Sequence, residues 1–556
     1  MCTLRKRWIN KKRSAINPKS THRARLSEKL PVISGATKSQ TFAPNQHLQA
    51  TCYSFMTAVN AQPTDNTKMY IAPHEWSALH DQPAHFTDPA VHQPLADLYQ
   101  RLAASFFDRK AHGYAKEFLK QQIAQLDNVQ DDLPDRPDKL EAWMHQGAQA
   151  ATAQYVHYLD ERKAGSPRRF FSNRAHALYF LRSVAPTKLV DGSWLYGLLP
   201  HWRNPRFSDL IRTYIEELGE GDAQKNHVVL YKQLLSRHNL DPIDDLPEEL
   251  YVQGLIQLAL AADAGTMLPE VIGFNLGYEQ LPLHLLITAY ELNELGIDPY
   301  YFTLHVTVDN ADTGHARRAV QAVLDNIPRL GGADDFWRRV RVGFGLSNAG
   351  VGTTQVIQDF DIEQEVIRIF THKSTAGQGA HSDYCRVGGR NVNDWLSRKE
   401  DVPEFLAALE KAGWIKRNVP VAQSRFWSLL QGDHSEMFGV FSSYELQVIH
   451  DWIRGGASSD GMAYTDIPAK DGQPRRMSFR VAARLEATRN LSICAHAPPA
   501  VENLLDSDLQ ALTQQLPLLD GDAQAALLIH AMTPDLHWAP AGLHATRLFI
   551  EGYFSK

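Results

Sequence analysis

Apolar residues recur along most of the chain at the spacing of an amphipathic helix. From about residue 90 they fall at positions i, i+3 and i+4 in successive stretches, the pattern of helices that bury one face. Strand-like alternation is sparse, and no Asn-Gly or Asp-Gly turn links two β-rich runs. No internal repeat of roughly 20–50 residues is visible. We therefore predict an all-α protein, with early helices at 92–107, 113–127, 138–163 and 170–184.

Glycines interrupt the helical pattern between about 328 and 355. Gly331, Gly332, Gly343 and Gly345 lie there, and a second loop-rich stretch covers 372–392. Because glycine lowers helix propensity, we predict a break in the helical fold and a domain boundary near residue 360. The region 361–556 is then a mostly helical C-terminal extension, with helices near 403–412, 420–431, 442–454 and 505–517.

The first 65 residues differ from the rest in composition and charge. Residues 1–50 hold eleven Lys and Arg against a single acid, Glu28, and have neither helical nor strand periodicity. We predict that 1–65 is a basic, disordered leader, or that part of it is an untranslated upstream extension, with synthesis starting at Met56 or Met69. A basic tail that contacts nucleic acid or anionic lipid, and a transit peptide, are alternatives. The missing apolar h-region excludes a secretory signal.

Composition narrows the class of protein further. The 556 residues are 44% hydrophobic, enough for a large core and, at roughly 100–200 residues per domain, for two or three structural units. No apolar run reaches the roughly 18 residues that a membrane span requires. Four cysteines without a CxxC pair exclude a cysteine zinc site and suit a reducing cytosol. Outside the basic leader the chain is acidic, so we expect a cytoplasmic protein that binds neither nucleic acid nor membranes.

Two consecutive predicted helices each place a polar residue on an apolar face. In the helix at 206–218, Glu217 falls on the stripe that Leu210 and Tyr214 define. In the next helix, His227 lies on the apolar side. A buried carboxylate is costly unless it is paired, protonated or bound to a metal. Glu217 is therefore a candidate for one of these three states.

A third inward carboxylate lies on the helix that Pro269 opens. Glu279 shares the stripe of Ile272. Pro282 removes a helix hydrogen bond just after Glu279, which predicts a kink at that point. The helix then resumes and ends at Gly296, where glycine is common because it adopts the left-handed conformation that closes a helix.

The densest group of polar ligands lies on the helix predicted from Pro299 to about Leu324. His305, Asp309 and Asp312 lie within about 60° of one another around this helix, and His315 lies about 60° further round. Two carboxylates so close together repel each other, and a cation resolves that repulsion.

Each of these residues has an ordinary interpretation when it is taken alone. An inward glutamate is often half-buried, a lone histidine among leucines is usually a hydrogen-bonded core residue, and His-x3-Asp can be a surface pair. Their conjunction within about 110 residues is less ordinary. Helical bundles bind pairs of iron or manganese ions through nitrogen and oxygen ligands on facing helices. The residues alone leave the metal site and the structural interpretation open.

At these positions the sequence resembles the haem-oxygenase-like non-haem diiron oxidases and oxygenases, the iron-containing redox enzyme family. The resemblance covers roughly 90–360 and rests on the motifs at 214–227, 276–284 and 296–315. It implies a helical bundle without haem, so that 66–360 is a haem-oxygenase-like diiron domain between the leader and the C-terminal region.

The resemblance also implies a ligand set. Glu and His ten residues apart in the family match Glu217 and His227, a single Glu matches Glu279, and His-x3-Asp matches His305 and Asp309. The last family histidine falls at Asp312. Either Asp312 is a ligand, or a local π-type bulge rewinds the helix so that His315 reaches the metal. The implied metal ligands are Glu217, His227, Glu279, His305, Asp309, Asp312 and His315.

The activity implied by the resemblance is the O2-dependent oxidation of a small molecule. The cofactors are two Fe2+ ions per chain, O2 is the co-substrate, and the catalytic residues are Glu217, Glu279 and His305. The substrate is a small amine, an amino-acid-like compound or a fatty acid, and the outcome is N-oxygenation, desaturation or C–C cleavage. An external electron donor and a homodimer are compatible with this activity. The alternative is a non-catalytic helical scaffold whose degenerate site binds a metal or ligand.

Two further features are open to two interpretations. The segment 380–395 is dense in polar residues, and it either lines a substrate entrance or packs the C-terminal region on the core. His530, His537 and His544 are spaced by seven residues, but prolines interrupt any helix there. We interpret that spacing as a coincidence.

Overall fold

The computed structural model describes residues 94–126, 131–240, 245–309, 311, 314–431, 435–437, 439–455 and 506–554. Within these ranges the regular secondary structure is almost entirely helical, so the predicted all-α class is confirmed. The leader predicted at 1–65, with its starts at Met56 or Met69, and the candidate ligand Asp312 lie outside the described residues. Among the helices that are described, none combines the length and the apolarity needed to cross a bilayer.

Numbered in chain order, the first helices are α1 (Leu95–Ala104), α2 (Arg109–Gln125), α3 (Leu140–Lys163), α4 (Arg174–Ser183), α5 (Ala185–Lys188), α6 (Ser208–Glu217), α7 (His227–Arg237), α8 (Val252–Ala262), α9 (Leu268–Tyr278), α10 (Leu283–Glu294), α11 (Tyr300–Val308) and α12 (His315–Asn326). They are followed by α13 (Ala333–Ser347), α14 (Thr353–Gln358), α15 (Ile362–Gly377), α16 (Val392–Leu396), α17 (Val402–Lys411), α18 (Arg425–Leu430), α19 (Ser443–Arg454), α20 (Ser507–Gln515), α21 (Gly521–Ala531) and α22 (Pro540–Phe549). The predicted helices before residue 220 and after residue 400 correspond to members of this series within a few residues, although α18 is shorter than predicted.

Two hydrophobic cores organise these helices. The first core is built mainly from α1–α3, α6, α8, α9, α12, α13 and the C-terminal helices α20–α22. The second core is built mainly from α4, α7, α10, α11 and α14–α19. The C-terminal region is thus divided between the two cores, and α6, α9 and α12 of the first core meet α7 and α11 of the second. The domain boundary near residue 360 stays a prediction.

The predicted helical break between 328 and 355 is wrong over most of its length. Gly343 and Gly345 lie inside α13, which crosses α9 at very short distance. A Cβ added at Gly343 would lie 2.0 Å from the carbonyl oxygen of Glu270, and one added at Gly273 would lie 1.9 Å from that of Val340. Gly343 and Gly273 are therefore present because two helix backbones touch, rather than because the chain turns.

The predicted continuous helix from Pro299 to Leu324 is also wrong. α11 ends at Val308, and α12 begins at His315. Gly314 has an extended backbone, with φ −85° and ψ −164°, so the helical hydrogen bonding does not continue through it. His315 consequently takes the first position of a new helix, which changes the direction from which its ring enters the core.

Other local predictions are confirmed. Pro269 lies in the first turn of α9, and the chain breaks at 279–282 before α10. Gly296 follows α10 with φ 67°. The carboxylate of Asp298 accepts a hydrogen bond from the backbone N–H of Tyr300 at the start of α11, as expected of a residue at a helix N-terminus.

The described residues contain one short hairpin, which the sequence did not predict. Strand β1 (Arg386–Val387) pairs with strand β2 (Arg390–Asn391) in antiparallel register. Gly388 and Gly389 join them with φ values of 61° and 84°. Two consecutive positive φ angles are what a tight hairpin turn requires, and Gly-Gly meets that requirement as well as Asn-Gly does.

Candidate metal centre

The connection between α6 and α7 brings the first two candidate ligands together. Glu217 is the last residue of α6, and His227 is the first residue of α7. Gly219 has φ 64°, and a Cβ added there would lie 2.3 Å from the backbone nitrogen of Asn226, so the return is too tight for any other residue. Asn226 caps α7 by accepting a hydrogen bond from the N–H of Val229. As a result, His227 Nδ1 lies 2.5 Å from Glu217 Oε2.

Glu279 and His315 meet where α9 ends and α12 begins. His315 Nδ1 lies 3.1 Å from Glu279 Oε2, 3.3 Å from Glu217 Oε1 and 3.2 Å from Asp309 Oδ1. The side chain of His315 is fully buried. Its ring is therefore enclosed by three carboxylates that come from different parts of the chain.

His305, on α11, faces two further carboxylates. Its Nδ1 lies 3.6 Å from Asp309 Oδ2, and its Nε2 lies 3.4 Å from Asp191 Oδ2. The ring centroids of His305 and His227 are 4.3 Å apart. Sequence reasoning missed Asp191, because this residue lies in an irregular connection before the 3-10 helix Ser193–His201 and no apolar stripe indicates which way it faces. The Asp-Gly pair that it begins indicates only a turn.

These side chains form two neighbouring triplets of possible metal ligands. The first triplet is Asp191, His227 and His305, and the second is Glu217, Glu279 and His315. Within each triplet one ligand atom per residue lies within 4.8 Å of the others, and all six residues are buried. Five of these six residues were predicted from the sequence, and Asp191 is the addition.

The hydrogen bonding of the cluster tests whether a metal fits. Most buried polar atoms in native proteins have a hydrogen-bond partner. Here Asp191 Oδ1 and Glu279 Oε1 are buried with no hydrogen-bond partner among the described residues. Imidazole nitrogens and carboxylate oxygens together are a donor set that suits iron. The residues present therefore fit iron, which would occupy these unused acceptor positions.

The pKa values show that the metal-free cluster retains protons. Burial disfavours the charged form of His305, but hydrogen bonds and ion pairs with Asp191 and Asp309 outweigh it and raise the pKa of the ring to about 10. Burial, with the negative charges of Asp309 and Glu217, raises the pKa of Glu279 to about 8 despite the opposing effect of His315. Without a metal, His305 and Glu279 therefore carry protons, whereas the pKa values of Asp191, Glu217 and Asp309 lie below their ordinary values.

A second set of side chains holds the candidate ligands in place. The hydroxyl of Tyr301 donates to Asp191 Oδ2 at 2.5 Å, and Lys188 Nζ lies 3.9 Å from the same oxygen. Lys188 also donates to the hydroxyl of Tyr278 at 3.0 Å. Burial opposes the charge on Lys188, yet Asp191 and Tyr278 raise its pKa, so the lysine stays protonated beside the first triplet.

Glu216 and Arg318, an ion pair that belongs to neither triplet, hold the ring of His315 in its orientation. His315 Nε2 lies 3.1 Å from Glu216 Oε2, and the same oxygen accepts a hydrogen bond of 2.9 Å from Arg318. Burial acts against ionisation of Glu216, but the hydrogen bonds from His315 and Arg318 lower its pKa to about 2. An ionised carboxylate that accepts the Nε2 proton leaves Nδ1 directed at Glu279 and Glu217, as expected of a histidine ligand with an orienting partner.

The structure also shows the contacts of the histidines spaced by seven residues and of the segment 380–395. His537 is buried, and its Nδ1 accepts a hydrogen bond of 3.2 Å from the side chain of Asn226, directly before His227. His530 instead stacks on Phe107, so the seven-residue spacing carries no common role. In the segment 380–395, the side chains make mainly local contacts: Asn393, for example, binds both the N–H and the carbonyl of His381.

The fold and the centre define an all-α protein with a buried cluster of histidines and carboxylates. Residues 178–346 match the model of a family described as iron-containing redox enzyme. The matched segment contains both triplets. The resemblance inferred from the sequence is confirmed over this segment, and it supports an iron-dependent redox function. No curated protein and no solved structure matches the chain.

Proposed function

We propose that this protein is a non-haem diiron oxidoreductase that uses O2 to oxidise a small amine, amino-acid-like or fatty-acid metabolite. The observation that supports the proposal is the pair of buried triplets inside the segment that matches the iron-containing family. A single metal would leave several of these buried carboxylates unpaired, whereas two ions match the number of ligands.

The contacts suggest how the ligands are divided. Asp191, His227 and His305 would hold one iron, and Glu279 and His315 would hold the other. Glu217 contacts a histidine of each triplet, at 2.5 Å and 3.3 Å, so it would contribute to both halves of the centre. Asp309 likewise lies near a histidine of each triplet, at 3.6 Å and 3.2 Å. The four carboxylates Asp191, Glu217, Glu279 and Asp309 would balance the charge of two ferrous ions.

Ferrous iron bound here would supply electrons for the reduction of O2. The protein contributes a dry environment, because Tyr214, Phe274 and Tyr301 are buried in the helices that carry the centre. Lys188 and Tyr301 hold two protons next to Asp191 and fix the orientation of its carboxylate. The products open to such a site are those of N-oxygenation, desaturation or C–C cleavage.

The test is an iron count followed by exposure to O2. Protein prepared without oxygen is titrated with Fe2+, freed of excess metal and assayed for iron, and O2 uptake is then measured. We expect about two irons per chain and rapid O2 uptake that depends on them. Glu217→Ala should lower the iron count strongly, because this residue contacts both triplets.

A matched control is Glu270→Ala, which removes a buried glutamate that pairs with Arg339 outside the centre. That variant should retain both irons even if it is less stable. Failure of the wild-type protein to bind iron, or bound iron that does not react with O2, would favour the non-catalytic scaffold.

A further inference from the structure

A cavity of about 260 Å³ reaches the candidate centre from the protein surface. It lies between α3, the turn at 280–283 and the junction of α11 with α12. Its inner end is formed by Asp309, which is buried and whose Oδ1 lies 3.2 Å from His315 Nδ1. Its outer part is lined by the exposed residues Gly147 and Gln154. The cavity therefore connects solvent to a side chain of the centre.

The wall of the cavity combines apolar surface with acids. Trp143, Met144 and Pro282 provide much of the apolar surface. The charged residues that line it are Asp132 and Asp309, and none of its described lining residues is Lys, Arg or His. The nearby Lys188 is engaged by Asp191 and Tyr278 and does not line the cavity.

This wall discriminates between the possible substrates. A carboxylate that enters would lose its hydration, would find no cation among the lining residues and would face two acids, which is unfavourable. The metals would not reverse this, since four carboxylates balance the charge of two ferrous ions. An ammonium group would instead be attracted by Asp132, and it can also lie against the face of Trp143.

We propose that this cavity is the substrate pocket and that it selects an apolar amine without a free carboxylate. The proposal rests on the proposed oxidase function and narrows its substrate class, because fatty acids and amino acids with a free carboxylate are disfavoured. Asp132 recognises the positive charge near the mouth, and the apolar part of the molecule lies against Trp143, Met144 and Pro282.

Gly147 offers a way to close the pocket without disturbing the fold. A Cβ added at Gly147 meets no atom within 4 Å, so Gly147→Leu places its side chain in open space, and leucine is the better helix former. The matched control is Ala153→Leu, an exposed position of the same helix that does not line the cavity.

The test measures binding rather than turnover, with phenylpropylamine, phenylpropanol and phenylpropanoate as probes that share one three-carbon chain. Calorimetry is done on the metal-free protein and on protein loaded with redox-inert Zn2+. We expect the amine to bind at least about tenfold more tightly than the carboxylate, as a charge-assisted contact provides. Gly147→Leu should abolish binding and Ala153→Leu should not, while Asp132→Asn should remove most of the preference for the amine over the alcohol.

Each outcome bears on the proposal separately from the proposed function, since iron content and O2 uptake are measured on the same preparations. Carboxylate binding as tight as that of the amine, or binding of the amine that survives Gly147→Leu, overturns the assignment even if two irons are bound. Absence of saturable amine binding to the wild-type protein overturns it as well. Normal probe binding in a protein that takes up no iron would instead refute the oxidase function and still support the assignment of the cavity as an amine-binding pocket.

Discussion

Replacement of Asp191 by asparagine changes the first triplet and leaves the second unchanged. It also tests the one triplet residue that was not predicted from the sequence. Asp191 is 1% exposed and is the only carboxylate of the first triplet. Asparagine has the same shape and still accepts the hydrogen bond from Tyr301, so the change removes charge and little else. We expect the variant to keep its fold and to bind about one iron instead of about two.

The cost in stability follows from the neighbouring lysine. Lys188 Nζ lies 3.9 Å from Asp191, and its side chain is 20% exposed. A charge pair at about 4 Å with an effective dielectric constant near 20 is worth ~4 kcal/mol. Because Lys188 keeps its hydrogen bond to Tyr278 and reaches solvent in part, we expect Asp191→Asn to lower the free energy of unfolding of the metal-free protein by about 2 kcal/mol.

A double-mutant cycle isolates this pair. Lys188→Met removes the lysine charge that Asp191→Asn leaves without its partner, so the double variant should recover the part of the lost stability that comes from this pair, with a coupling energy of about 2 kcal/mol. Urea unfolding of the metal-free proteins measures each corner of the cycle. The control is Asp298→Asn, because Asp298 and its partner Arg237 are 48% and 57% exposed, and this change should cost less than about 1 kcal/mol.

Two results would refute this reasoning. A coupling energy below about 0.5 kcal/mol would mean that Lys188 and Asp191 do not depend on each other in solution. An unchanged iron count in Asp191→Asn would mean that the first triplet does not require its carboxylate, and the division of ligands proposed above would have to be abandoned.

Three further predictions concern other parts of the centre and the fold. Glu279→Ala should abolish the binding of at least one iron with unchanged helical circular dichroism; an unchanged iron count would contradict its assignment. The pKa values of His305 and Glu279 are raised to about 10 and about 8 in the metal-free protein, so both residues bind protons at neutral pH that a metal must displace. Zn2+ affinity should therefore rise with pH, and calorimetry in different buffers should detect proton release. A pH-independent affinity would argue against these ligands. Gly273→Val should prevent folding or lower the free energy of unfolding by several kcal/mol, because it forces α9 and α13 apart. The control is Gly265→Val, whose Cβ meets no atom within 4 Å and which should change the urea midpoint little. Equal effects of the two variants would show that the helix crossing is not tight.

The spacing of apolar residues predicted the direction of a side chain correctly where the candidate ligand belongs to a regular helix. Glu217 lies on α6 and His305 on α11, and the apolar residues one turn away fix the direction of each side chain. Helical geometry therefore predicted that both face inward, and the structure buries both. The same reasoning placed Glu279 correctly, since it follows α9 directly.

The argument failed where tertiary contacts override local pattern. The junction at 309–314 contains no proline, and Asp309 and Asp312 fall on the same helical face as His305, so a continuous helix was predicted there. His315 is held at the start of α12 by Glu279 and Glu216, which are distant in the sequence, and by a local contact with Asp309. Such contacts between distant segments cannot be inferred from the periodicity of one segment. The prediction of a helical break at Gly343 was wrong for the same reason, because the role of this glycine depends on α9, the helix that crosses α13 there.

The position of the C-terminal helices explains why the connection between α6 and α7 can keep so tight a turn. The hydroxyl of Tyr214 on α6 donates to the carbonyl of Met532 at 2.6 Å, and the side chain of Asn226 donates to His537. A Cβ added at Gly221 would lie 2.5 Å from the carbonyl of Leu543, so α22 lies directly against the turn. Glu220, inside this turn, has the unfavourable φ of 53°, which costs roughly 1–3 kcal/mol and requires such support. The residues 506–554 therefore contribute to the placement of Glu217 and His227, although they lie far outside the segment that matches the iron-containing family.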